Sequence, residues 1–169
     1  MAISPLDFSE LEGGLARMLH RFLASGTLTG DHAADEDLRQ HPEAALLGLL
    51  FDQRVLAETA FTGPMRLRDR LGHLDLGRIA TMEAETLRAV FAEKPAVHRF
   101  TNIMADTTLK LATVMARDYD GQAARLWNDG ADAPTLEKRV QKLPGFGKDK
   151  ARKLKYLLHY LGYRDFSER

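Results

Sequence analysis

The chain contains no cysteine. Structural disulfides, thiolate zinc sites and cysteine-bound iron–sulfur clusters are therefore excluded, and a reducing cytoplasm is the compartment expected. Net charge is absent too: 24 basic residues balance 24 acidic ones, so only the distribution of charge can point to a partner. The longest apolar run, Ala44–Phe51, falls far short of the roughly 20 residues that cross a bilayer, and no membrane partner is expected. The opening MAISPLDFSELEGG lacks the basic and apolar regions of a secretory signal. Alternating β-branched runs, internal repeats and low-complexity segments are missing as well.

What remains is helical periodicity over most of the 169 residues. Phe8, Leu11, Leu15, Met18, Leu19 and Phe22 recur at three and four, one apolar face of a first helix. Ser25–Glu43 carries glycines, acids and Pro42 and reads as a long connection. Helix resumes at Pro42 with a segment apolar nearly all round, hence central. Shorter pieces follow, cut at Thr62–Pro64 and Leu71–Asp75, with a start near Thr81 or Met82 and a longer helix from Phe100 that stops near Gly121. Asp132 and Pro134 mark another start, and Gly162 ends the last helix. The fold class expected is all-α, an irregular array of short helices. Residues 1–41 form an N-terminal helix and acidic connection, and residues 42–169 the main helical domain. Trp127 and the methionines are read as core.

Positive charge gathers in one place. Between Lys138 and Lys155 stand eight basic residues against one acid, Asp149, whereas residues 1–43 carry eight acids and three bases. Inside the basic stretch lies LPGFGKDKARKL, Leu143–Leu154. So short a turn needs positive φ at one position, which glycine supplies at little cost. The first N–H groups of the following helix have no partners within it and form an anion site, and a side chain at Gly145 or Gly147 would obstruct a phosphate. Lys148, Arg152 and Lys155 are spaced to share one helix face. A charge run alone is more often a solvated face; the glycine turn beside it favours phosphate.

Leu143 to Gly147 matches the Leu-Pro-Gly-apolar-Gly core of the helix–hairpin–helix motif at every position. Over about 120 residues, Pro42 to Gly162, the chain resembles the HhH-GPD superfamily of DNA glycosylases, which includes endonuclease III. Gln53 stands where that superfamily has a Ser-x-Gln-like turn, with Phe51 in place of the small hydroxyl residue, and Met104-Ala105 stand at its Lys-Ala place. The resemblance implies an all-α fold that grips double-stranded or damaged DNA and receives a flipped base, in base-excision repair. It implies DNA contacts from Leu143, Gly145, Phe146, Gly147, Lys148, Lys150, Arg152 and Gln53, with no cofactor.

Breaking a base–sugar bond passes through a cation-like sugar and needs a carboxylate near that carbon; strand cleavage further needs a lysine that forms a Schiff base. Where the family carries that lysine this chain has Asp149, with Lys148 and Lys150 projecting elsewhere, so any activity expected is that of a monofunctional glycosylase without lyase chemistry. The family's aspartate falls about twenty residues after the second glycine. Here that place is Ser167, and Asp165 is the nearest acid and the candidate catalytic carboxylate. A tail acid anchored by Phe166 alone is expected to be loosely held, which leaves a non-catalytic DNA-binding relative or a helical protein-interaction adaptor as alternatives. Asp52 is read as an acid capping or pairing at a helix end, and Tyr156, Tyr160 and Tyr163 as packing at a core edge. No metal is expected. Asp31–Pro42 has Glu36 and Pro42 where a calcium loop needs glycine and glutamate, and the six histidines show no zinc spacing.

Overall fold

Helix α1 (Gly14–Ser25) begins later than periodicity suggests. Gly13 holds a left-handed φ of 84°, and a Cβ on Gly14 would lie 2.7 Å from that of Ala57. Residues 4–12 therefore run without helix, yet Phe8 and Leu11 remain buried. The structure is a computed structural model that describes residues 4–167.

The acidic stretch expected as a connection contains α2 (His32–Gln40). Asp31 starts it, accepting from the Ala33 amide at 2.9 Å and the Ala34 amide at 3.2 Å. Asp35 is buried and accepts from the Thr27 and Thr29 hydroxyls and from the Leu28 and Thr29 amides. Asp31 and Asp35, which look solvated in sequence, are here satisfied by local donors.

Helix α3 (Pro42–Phe51) is the centre: every residue from Ala44 to Phe51 is buried. Against it lies α4 (Ala57–Leu71), which runs through the Thr62–Pro64 segment expected to interrupt it. Pro64 removes one helical hydrogen bond, but close packing outweighs that loss. A Cβ on Gly63 would stand 2.8 Å from the Phe51 ring and 3.2 Å from the Val97 carbonyl, and one on Gly48 would run into Phe61.

Helices α5 (Leu76–Ile79) and α6 (Ala84–Ala92) pack on the long α7 (Thr101–Tyr119). A short 3-10 helix, Ala123–Leu126, leads to α8 (Ala133–Gln141), capped as expected by Asp132 on the Thr135 amide at 2.9 Å. Then come α9 (Lys148–Ala151) and α10 (Leu154–Leu161), stopped by Gly162 at φ 86°. Among the described residues there is no strand, so the all-α class is observed. None of these helices is long and apolar enough to cross a membrane.

Residues on both sides of position 41 enter one core, from Phe8 and Leu15 through α3 to Leu161. Trp127, Met18, Met104 and Met115 are buried in it. The tyrosines behave as packing residues. Tyr160 takes the Leu6 amide at 3.1 Å and donates to the Leu6 carbonyl at 2.8 Å; Tyr156 reaches Glu10 and Tyr163 the Leu38 carbonyl.

Candidate functional site

The turn between α8 and α9 is closed by two backbone hydrogen bonds. The Leu143 amide donates to the Val140 carbonyl at 3.0 Å, and the Phe146 amide to the Leu143 carbonyl at 3.1 Å. Leu143 and Phe146 point into the core at 3% and 6% exposure, so they anchor the turn and do not face a ligand. The two glycines differ. Gly145 has φ 83°, and a Cβ there would strike a Leu50 methyl and stand 2.7 Å from Thr107 Cγ2. Gly147 has φ −106°, open to any residue, and a Cβ there meets nothing within 4 Å. The fold requires glycine at 145. At 147 it does not.

Charge around the turn sorts into bound and unbound groups. Arg139 is held by Asp129 at 2.8 Å, Arg152 by Asp149 at 3.0 Å, and Lys155 lies over the Tyr156 ring at 4.9 Å. Lys138, Lys142 and Lys148 are exposed; Lys138 acts on Asp132 through space, and no hydrogen bond or ion pair holds any of the three among the described residues. Lys150 turns inward. Its ammonium donates to the Leu50 carbonyl at 2.7 Å, and burial lowers its pKa to about 8, with Asp52 opposing that shift. As placed, Lys150 ties α9 to the end of α3.

That helix end receives a second donor. The His98 ring accepts the Phe100 amide at Nδ1, 3.0 Å away, which leaves Nε2 to donate to the Phe51 carbonyl at 2.9 Å. Burial lowers the His98 pKa, in keeping with this neutral tautomer. Lys150 and His98 thus satisfy carbonyls that α3 leaves open. Beyond them Asp52 closes the helix, and Gln53 and Arg54 are exposed, with Arg54 at φ 56°.

Asp52 caps α3 through its backbone and does not pair through its side chain. Its backbone N–H bonds to Leu49 at 3.2 Å, but its carboxylate has no hydrogen bond or ion pair among the described residues. It is half-buried, and burial raises its pKa, while Lys153, Lys150 and Arg17 pull the other way and Glu58 adds to the rise. A carboxylate at a helix C-terminus also opposes the helix dipole. Nothing in the packing explains it. In sequence the signal was an acid ending an otherwise apolar helix.

Asp165 stands elsewhere. It lies beyond the far end of α10, a helix whose eight residues span roughly 12 Å from the turn side. Its carboxylate accepts the Ser167 amide at 2.8 Å and lies 3.5 Å from His159 Nδ1. Phe166 packs on the core and its amide donates to His159 at 3.1 Å, so the tail is tied down more firmly than expected.

Comparison with protein-family models, with curated proteins and with solved structures finds no match to this chain. The site rests on its own geometry. Of the residues expected to contact DNA, Gly145, Gly147, Lys148 and Gln53 are exposed; Leu143 and Phe146 are buried beneath the turn, Lys150 is tied to the Leu50 carbonyl, and Arg152 is engaged by Asp149.

Proposed function

We propose that this protein binds double-stranded or damaged DNA, gripping the phosphate backbone through the Leu143–Gly147 turn as a helix–hairpin–helix motif, and that it works in base-excision repair in the manner of the HhH-GPD glycosylases. The observation that carries this reading is Gly147. A glycine without positive φ and without a neighbour is not required by the fold, and the space before it suits a bulky anion approaching the backbone. Lys142 and Lys148 stand free on either side of the turn, and Gln53 and Arg54, just past the α3 end to which Lys150 is tied, are exposed as well. Amides and lysines read phosphate, so binding is independent of base sequence.

The test is a fluorescence anisotropy titration of a short duplex with wild type and Gly147→Lys. Simple electrostatics expects the added lysine to tighten binding. Approach to the backbone expects it to weaken binding by about tenfold, a loss of roughly 1.4 kcal/mol. Tighter binding would refute the backbone mechanism, and absence of DNA binding by the wild type would favour a protein-binding adaptor.

A further inference from the structure

Between the strap of residues 4–12 and α1 opens a cavity of about 630 Å³, a size that suits a small molecule. Its floor is carbon: Phe8, Leu11 and Tyr160 line it and are buried. The Tyr160 hydroxyl is used within the fold, taking the Leu6 amide at 3.1 Å and donating to the Leu6 carbonyl at 2.8 Å, so this ring offers the cavity no free polar atom. Leu23 forms a wall at 59% exposure, while the other large exposed apolar side chains, Leu56 and Ile103, belong to the start of α4 and to α7. One exposed leucine is too little apolar surface for a stable protein interface, which takes about 800 Å² from each partner.

The remaining polar side chains, Asp7, Ser9 and His20, are exposed at the rim. His20 contributes a ring packed on Phe8, with centroids 4.8 Å apart. Asp7 contributes a charge. The Ser9 amide donates to its Oδ1 at 2.9 Å and, with the Ser9 hydroxyl, holds the Asp7 carboxyl below its ordinary pKa, so it is ionised at neutral pH. Glu10, which accepts from the Tyr156 hydroxyl, puts a second negative charge on the strap. The cations around them are engaged elsewhere. Arg17 and Arg21 hold Glu58, the latter at 3.0 Å, and Arg39 faces Glu36 at 3.8 Å. From the α10 side, Lys155 lies over the Tyr156 ring and Arg152 is paired with Asp149.

We propose that this cavity binds a small organic cation with an apolar body, of the arylalkylammonium class, with its ammonium on Asp7 and its carbon body against Phe8, Leu11 and Leu23. Charge complementarity fixes the sign of one end of the ligand, and the carbon floor fixes the nature of the other. An anion would face Asp7 and Glu10 without a free cation to receive it, and a wholly polar cation would cover the floor without using it. An aromatic body can pack on Phe8 edge to face, and the rings lining the cavity also attract an ammonium. The inference is independent of the DNA-binding reading. Because Leu6 ties the strap to Tyr160 on α10, a ligand seated here braces the strap against α1, and the melting temperature should rise with its concentration.

The experiment titrates the full chain calorimetrically with four probes: phenethylamine, a cation at neutral pH; phenethyl alcohol, its neutral counterpart; phenylpropanoate, its anionic counterpart; and acetyl-lysine amide, which carries the ammonium on a flexible chain. Phenethylamine should bind at millimolar concentration or below, roughly threefold to fivefold more tightly than the alcohol, with phenylpropanoate weakest. Asp7→Asn should bring the amine down to the affinity of the alcohol and leave the alcohol unchanged. Leu23→Ser should weaken amine and alcohol alike. Both substituted side chains are exposed, and melting curves check that the variants are folded. Equal affinities for amine and alcohol in the wild type overturn the proposal, as does amine binding that neither substitution alters. No heat with millimolar amine overturns it as well. Tighter binding of acetyl-lysine amide than of phenethylamine overturns it too and assigns the cavity to a lysine of a partner protein.

Discussion

At the scale of single residues, Gly145 and Gly147 answer to different demands within one turn. Gly145 combines a left-handed φ with contact to Leu50 and Thr107, both of which a side chain would violate. Gly145→Ala should therefore destabilise the protein by about 2–3 kcal/mol, the left-handed backbone and the crowding each contributing. Gly147→Ala should stay within about 0.5 kcal/mol of wild type. Urea unfolding of the two variants checks this, and equal losses would remove the distinction on which the open approach to Gly147 depends. Both glycines are equally visible in the sequence, and only packing separates them. Asp52 repeats the lesson from the other side. Its position after an apolar helix is legible, but its lack of partners depends on where Lys150 and His98 turn, and those residues lie 98 and 46 positions away in the chain.

At the scale of elements, α2 shows why polar stretches are hard to read. Helix propensity in Asp31–Gln40 is modest, and the segment is acidic; what makes it a helix is a cap at Asp31 and a second acid, Asp35, folded back onto the Thr27–Thr29 loop. Burial pushes the Asp35 carboxyl up, but hydrogen bonds from Thr29, Thr27 and Leu28 outweigh it and hold its pKa below the ordinary value. A depressed native pKa gives stability that is present above the unfolded value and lost as pH falls through the native one. Asp35→Ala should cost about 3 kcal/mol at pH 7, and the gap to wild type should close below about pH 4. Thermal melts across that range supply the check, and a gap independent of pH would mean that Asp35 acts by packing alone. The interruption expected at Thr62–Pro64 is absent for a related reason. Gly63 is there for contact with Phe51, and local breaker chemistry gives way to burial.

Across the whole molecule, charge is segregated even though it sums to zero. Acids dominate the first quarter of the chain, and the unbound lysines cluster at the α8–α9 turn. Few cations are free there, because Arg139 and Arg152 have acidic partners and Lys150 faces inward. Counting basic residues in the sequence therefore overstates the number of phosphates that one molecule can neutralise. The slope of log affinity against log salt should be about −3, as for three released counterions, and not the steeper value that eight would give. Titrations between low and physiological salt measure it, and a slope near −7 would place additional cations on the DNA.

His159 has a consequence for synthesis. Its Nε2 lies 2.6 Å from the Ser4 carbonyl and its Nδ1 accepts the Phe166 amide, so the first and last described stretches meet on one imidazole. Phe8 rests against Tyr160 in the same place, with ring centroids 5.9 Å apart. During translation, residues 4–11 emerge ahead of α10, which follows some 150 residues later and completes their seat. The nascent chain must keep that apolar strap incompletely buried until α10 is made, so this part of the core closes only through a contact between distant segments.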